Sequence, residues 1–270
     1  KIRQAMLDHG VVFFRDQRIN DKDQVRFTSY FGRPVPHVRK QRQRAVKEIF
    51  IISNVKDNGE PIGALPDGEM MFHHDMLHNE MPHKGTMLYA VEIPSEGGNT
   101  IFANCYAGYE ALPAEVRDKL EGHTARHHYN FGSTLKGDGR GTKSFGEAQH
   151  PVFRTHEETG RKAVYVNRLM TEEIVGLPRD ESGPLLEAVF DCSENPEFTY
   201  EHEWRTGDVL MWDNRCSIHA RTDFPATERR LLRRCPLPPW RGRAATRRGP
   251  APSSRASSST TSAAGSASSA

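Results

Sequence analysis

Long apolar runs are missing from this 270-residue sequence. None approaches the roughly 18 consecutive apolar residues that a membrane helix needs, so no membrane partner is expected. The opening residues, KIRQAMLDHG, also lack the apolar stretch of a signal peptide, and a cytoplasmic protein is expected. Because the first residue is Lys and not Met, and little chain precedes the first helical pattern, the sequence is expected to start downstream of its natural beginning. Cysteine is scarce as well. Cys105, Cys192, Cys216 and Cys235 stand far apart, with no Cys-x-x-Cys pair and no small-scaffold framework, and read as reduced, mostly buried thiols. A strong charge excess is absent, the net charge being +2. From Pro236 onward acidic residues disappear altogether while five arginines remain (Arg241, Arg243, Arg247, Arg248 and Arg255), and setting these aside leaves −3 on residues 1–235. A mildly acidic folded part offers no basic face, so no nucleic-acid partner is expected. A homo-oligomer is compatible with the sequence.

What is present is a succession of short strand patterns. VVFF (11–14), EIFIIS (48–53), TMLYAVEI (86–93), NTIFA (99–103), PVFRT (151–155), KAVYVN (162–167), FTYEHEW (198–204), DVLMW (208–212) and RRLLRRC (229–235) all read as strands. Helices are expected over the first residues up to Gly10, from the N-cap Asn20 to Gly32, at YAGYEAL, after Pro113, and at ESGPLLEAVF. Many short strands with few helices predict an α+β, mainly β fold, an antiparallel sandwich or barrel with helical additions. Residues 132–148, rich in Gly, Lys and Ser, read as a mobile loop placed to act as a lid. One domain is expected over residues 1–235, with 236–270, rich in Pro, Arg, Ser and Ala, a disordered low-complexity tail.

The run GEMMFHHDMLHNEMPH carries the chemistry. On extended backbone, residues i and i+2 share a face, so His73 and Asp75 can grip one ion while His74 points away. His74 is read as a supporting or exposed residue, and His78 and His83 as loop or surface groups. A third ligand must come from a distant strand. His219, in VLMWDNRCSIHARTDFP, is the best candidate. Two histidines and one carboxylate are the set that holds Fe(II) on one face and leaves positions open for small ligands; zinc accepts the same donors. An organic co-substrate would separate these chemistries. The strand ERRLLRRC offers Arg229 with Arg233, or Arg230 with Arg234, as its inward pair, and the outward pair reads as solvated charge. Inward arginines call for an anion, because a buried unpaired charge is costly.

FHHD, EIPSEGGNTIFAN, WRTGDVLMWDN, His219 and RRLLRR, together with HGVVFFRDQ and HPVFRTHEETGRKAVYVN, make residues 9–235 similar to the Fe(II)- and 2-oxoglutarate-dependent dioxygenases of the taurine dioxygenase and 2,4-dichlorophenoxyacetate dioxygenase (TauD/TfdA) family. The resemblance implies a double-stranded β-helix (jelly-roll) barrel with flanking helices. It implies Fe(II) held by His73, Asp75 and His219, with 2-oxoglutarate as co-substrate and O2 as oxidant. It further implies that Thr100 and Arg230 bind the far carboxylate of 2-oxoglutarate, which selects the 230 and 234 pair, and that Arg234 and His37 contact a small anionic organic substrate. The implied reaction oxidatively decarboxylates 2-oxoglutarate to succinate and CO2 while the substrate is hydroxylated and, next to a heteroatom, thereby cleaved.

Two departures stand beside that resemblance. Glu69 occupies the place of an asparagine in the taurine enzyme, and a carboxylate facing the pocket there would repel a sulfonate or carboxylate. After Cys235 the sequence stops resembling the family, with a composition like a shifted frame of a GC-rich gene, so the last native strand residues are expected to be lost by frameshift or divergence. The competing functions are an impaired jelly-roll metal-binding relative and a zinc hydrolase using the same ligands, the latter disfavoured by Thr100 and Arg230. Trp204, Trp212 and the WDNR turn are read as packing and structure.

Overall fold

The computed structural model describes residues 1–36, 45–65, 68–130, 133–136 and 144–237. Helix α1 (Ile2–His9) leads into β1 (Val11–Phe14), followed by α2 (Asp21–Ser29) and β2 (Phe50–Ser53). A small hairpin, β3 (Lys56–Asp57) and β4 (Glu60–Pro61), precedes β5 (Met70–His73), β6 (Gly85–Glu92) and β7 (Thr100–Asn104). Helices α3 (Cys105–Ala111) and α4 (Ala114–Leu120) are followed by β8 (Thr124–Asn130), β9 (Ser144–Pro151), β10 (Phe153–Thr155), β11 (Lys162–Val164) and β12 (Thr171–Ile174). Helix α5 (Arg179–Ser193) then leads to β13 (Thr199–His202), β14 (Val209–Asp213), β15 (Ser217–Arg221) and β16 (Leu231–Pro236).

Local chemistry accounts for the early boundaries. Gly10 takes a left-handed conformation and its N–H closes α1 on the Met6 carbonyl. Asn20 and Asp23 form a reciprocal capping box at the start of α2, which ends at Ser29, short of Gly32.

Two antiparallel sheets build the barrel. The larger has the order β1-β14-β6-β16-β2 and the smaller β13-β7-β15-β5. Alternation along each strand sorts side chains into layers. Leu88, Ala90, Leu210, Trp212 and Leu232 turn inward and pack with Phe102 and Trp204. Met87, Val209, Met211 and Cys235 turn outward, where Met6 and partly buried residues of α2, Val25 and Phe27, cover them. On the smaller sheet Ala103 and Ile218 face outward against Tyr106, Leu186, Val189 and Phe190 of α3 and α5. The result is the double-stranded β-helix, or jelly roll, with flanking helices.

Several strands escape the local pattern. β8, β9 and β12 form a separate three-stranded sheet. The glycine-rich stretch expected as a loop over 132–148 is in fact strand from Ser144, paired with β8 from Asn130↔Ser144 to Thr124↔Pro151. Its composition is that of a loop; pairing with β8 recruits it. Residues 137–143 lie outside the described residues, as do His37 and residues 238–270, the bulk of the expected tail. The buried core continues to Leu237, which is fully buried beside Met6 and Ile49. Among the described residues no helix is long and apolar enough to cross a membrane.

Candidate metal centre

His73 ends β5, Asp75 lies two residues beyond it, and β15 pairs His219 directly opposite His73. The strand register therefore brings together residues separated by 146 positions. The Nε2 atoms of His73 and His219 lie 4.0 and 3.8 Å from Asp75 Oδ1, and the three donor atoms fall within 4.8 Å of one another. All three side chains are at least nine-tenths buried or close to it. His73 Nδ1 donates to the Met71 carbonyl at 2.9 Å, which fixes the tautomer and leaves Nε2 as a lone pair. Burial pulls the pKa values of both histidines below their ordinary value, keeping the rings neutral as ligation requires. Burial alone would raise the Asp75 carboxyl, but Arg234, His219 and His73 hold it well below the usual carboxylate range. Two neutral imidazoles and a carboxylate converging on one point fit a divalent first-row metal.

Asp75 is held from all sides. Its Oδ2 accepts from Thr86 Oγ1 at 2.9 Å and pairs with Arg234 Nη2 at 2.5 Å, leaving Oδ1 toward the histidines. Asn214 clamps the backbone, accepting from the Asp75 N–H at 2.7 Å and donating to its carbonyl at 2.9 Å. The WDNR turn is thus structural in a particular sense: it grips the loop that carries Asp75. Thr86 left no signal in the sequence, whereas Asn214 stood inside a turn already singled out.

The donors sit in a cavity of about 170 Å³ between the sheets. Thr100, Arg221, Arg230 and Arg234 line it, with an apolar wall that includes Phe50, Leu88, Met70 and Met170. Arg230 is 2% exposed, donates from Nε and Nη2 to the Gly98 carbonyl, and has no carboxylate partner among the described residues. Burial and then Arg221 push its pKa down to about 9. A buried guanidinium in this condition asks for an anion. The GGNT turn serves both expected co-substrate residues, because it places Thr100 at the head of β7 and cradles Arg230. Gly98 has φ +65, and a Cβ there would come within 3.1 Å of Arg230 Nε. Thr100 Oγ1 accepts from Trp204 Nε1 at 3.0 Å, so Trp204 does more than pack. Arg221, two residues beyond His219, was detectable by strand alternation and was missed.

Arg234 of β16 and Arg230, the residue just before the strand, both face the cavity. The outward Arg233 is not solvated charge as expected but buried, bonded to Asp21 Oδ1 at 2.7 Å and lying 4.2 Å over the Tyr89 ring. Helix α2 covers that face of the sheet, which no local pattern discloses. His74 points away from the donors, fully buried, accepting from Asn167 at 3.3 Å. His78 and His83, expected as loop or surface groups, do lie in the loop region between β5 and β6 but are buried, 6% and 4% exposed. Glu69 is exposed and does not line the cavity, so the repulsion argued from it does not arise.

A second convergent group, His156, Asp213 and Cys216, is saturated by protein. Arg215 and His156 Nε2 occupy both oxygens of Asp213 at 2.5 to 3.1 Å, which makes it a structural knot.

The family model described as "Taurine catabolism dioxygenase TauD, TfdA family" matches residues 1–235. Pentalenolactone F synthase of Streptomyces avermitilis is 34% identical, over 89% of this chain and 87% of that protein. The alpha-ketoglutarate-dependent 2,4-dichlorophenoxyacetate dioxygenase of Cupriavidus pinatubonensis is 32% identical, over 87% and 86%. Among solved structures, a taurine dioxygenase from Burkholderia xenovorans superposes with a TM-score of 0.73 at 32% identity, covering 88% of this chain and 80% of its own.

Proposed function

Because the chain belongs to the TauD/TfdA family of dioxygenases, we propose that His73, Asp75 and His219 hold its iron, that Thr100 and Arg230 hold the far carboxylate of 2-oxoglutarate, and that Arg234 receives the anionic group of a small organic substrate. The enzyme is an Fe(II)- and 2-oxoglutarate-dependent dioxygenase. When bound, Fe(II), 2-oxoglutarate and O2 supply the chemistry that yields succinate and CO2 and hydroxylates the substrate. The protein supplies position and charge.

The observation that carries this reading is the polarity of the cavity. Three convergent donors stand at one place in it, and Arg230, just ahead of β16, is a buried guanidinium without a carboxylate partner among the described residues. A dicarboxylate can bridge them. Thr100, held by Trp204, keeps its hydroxyl hydrogen free for a carboxylate oxygen. Arg234 already touches Asp75 through Nη2, and its Nε is buried without a partner among the described residues. Its guanidinium lines the cavity and offers positive charge to an incoming anion. The relative whose name specifies 2,4-dichlorophenoxyacetate acts on an organic anion of this kind, and the apolar wall suits the remainder of such a molecule.

Anaerobic titration with Fe(II) and 2-oxoglutarate, followed by the visible charge-transfer absorption of the chelate, tests the assignment. Arg230→Met is expected to abolish 2-oxoglutarate binding and spare metal binding; unchanged 2-oxoglutarate binding would refute the role. Arg234→Ala is expected to weaken organic-substrate binding while substrate-independent succinate formation survives. Loss of both together would assign Arg234 to structure instead.

A further inference from the structure

Three residues beyond Asp75, His78 lines the same cavity and has no place in the scheme above. The side chain is 6% exposed, with its ring 5.4 Å from that of Tyr129 and tilted by 34°. Nδ1 is buried and has no hydrogen-bond partner among the described residues. Nε2 has no hydrogen-bond partner among the described residues either, but it is not among the sealed atoms, and the side chain lines the cavity.

That asymmetry decides which nitrogen carries the proton. A neutral imidazole has one N–H and one lone pair. Orphaned buried donors are rarer in proteins than under-used acceptors, so the sealed Nδ1 is left as the lone pair and the hydrogen goes to Nε2. Burial, and then His128, lower the His78 pKa to about 4, which keeps the ring neutral at ordinary pH. The cavity therefore receives one uncharged donor from this position. The neighbouring wall is largely apolar, with Met70, Met76 and Met170, and the Tyr129 hydroxyl donates to the Ser133 carbonyl at 3.0 Å.

We propose that His78 is a specificity-determining residue whose Nε2–H donates to an ether, ester or carbonyl oxygen on the apolar body of the anionic substrate. The inference rests on the proposed function, since it takes the substrate's anion to be held by Arg234. The selected class is an apolar carboxylate or similar anion that carries an acceptor oxygen away from its charged head. A matched molecule without that oxygen fills the same space and leaves the donor unpaired, which is the strong form of discrimination.

The test uses the full chain loaded anaerobically with Mn(II) and 2-oxoglutarate, probed calorimetrically with cyclohexylacetate and with the three tetrahydropyranylacetates, which keep its shape and charge and add a ring oxygen. At least one oxygen-bearing isomer is expected to bind about tenfold tighter than cyclohexylacetate. In His78→Phe, or in His78→Leu should the first fail to fold by circular dichroism, the ratio is expected to fall to about one. His78→Gln, whose amide still donates, is expected to retain part of the preference. Equal binding of all probes by the wild type, no probe binding, or a preference that survives removal of the imidazole overturns the inference. Failure of 2-oxoglutarate to bind the Mn(II) protein overturns the underlying site assignment instead, and with it this inference.

Discussion

Asp75 keeps one oxygen free because other side chains occupy the other. Thr86 and Arg234 take Oδ2, and Asn214 locks the backbone on both sides of the residue, so the carboxylate cannot rotate away from the two imidazoles without breaking hydrogen bonds. Supporting contacts of this type commonly contribute 10- to 100-fold to metal affinity. Thr86→Val preserves shape and deletes only the hydroxyl. It is expected to weaken Mn(II) binding by about tenfold, measured by titration, with an unaltered circular-dichroism spectrum. Unchanged affinity would mean that Arg234 alone orients the carboxylate. The sequence showed the donors here but not their support. His73, Asp75 and His219 announce themselves by residue type and spacing, whereas a threonine at the head of a strand looks like any other.

At the scale of elements, β16 does two jobs with one alternation. Arg230 and Arg234 face the cavity, while Arg233 faces α2, where Asp21 and the Ile19 carbonyl receive it and Gln24 bonds its carbonyl oxygen at 2.9 Å. These roles separate experimentally. Arg233→Met is expected to lower unfolding free energy by about 1–3 kcal/mol in urea titration while 2-oxoglutarate binding is retained, since a charge-assisted hydrogen bond to a buried group is of that size. Arg230→Met is expected to do the reverse. A loss of 2-oxoglutarate binding in both variants would show that the strand's position, and not its individual side chains, governs the site. Period-two reasoning from the sequence reached the pairing of 230 with 234 as one of two options; that the opposite face is also buried depends on α2, twenty residues from the N-terminus and two hundred from β16.

At the scale of the whole molecule, buried histidines held neutral set the response to acid. Burial lowers His83 to about 4 and His127 to about 3, below the ordinary value of 6.5. As pH falls below 6.5 the unfolded chain takes up these protons first, so stability declines by up to about 1.4 kcal/mol per pH unit for each such histidine until the folded pKa is passed. The carboxylates held low by arginine, Asp213 among them, add their loss only below their ordinary 3.8. The expected outcome is a urea midpoint that drops between pH 7 and pH 5, well above the carboxylate range. In His127→Gln the slope over that interval is expected to be shallower. An invariant midpoint from pH 7 to 5 would show that the buried imidazoles are already solvated in the folded state.

By itself the sequence determined the donor types, the strand-rich architecture and the faces that individual strands could offer, because side-chain chemistry and the two-residue period of a strand are local properties. Only the tertiary structure decided which faces meet. Pairing of β15 with β5 sets His219 against His73, docking of α2 buries Arg233, and pairing with β8 makes Ser144–Pro151 the strand β9. Those outcomes depend on register and packing between segments far apart in the chain, and no window of neighbouring residues contains that information.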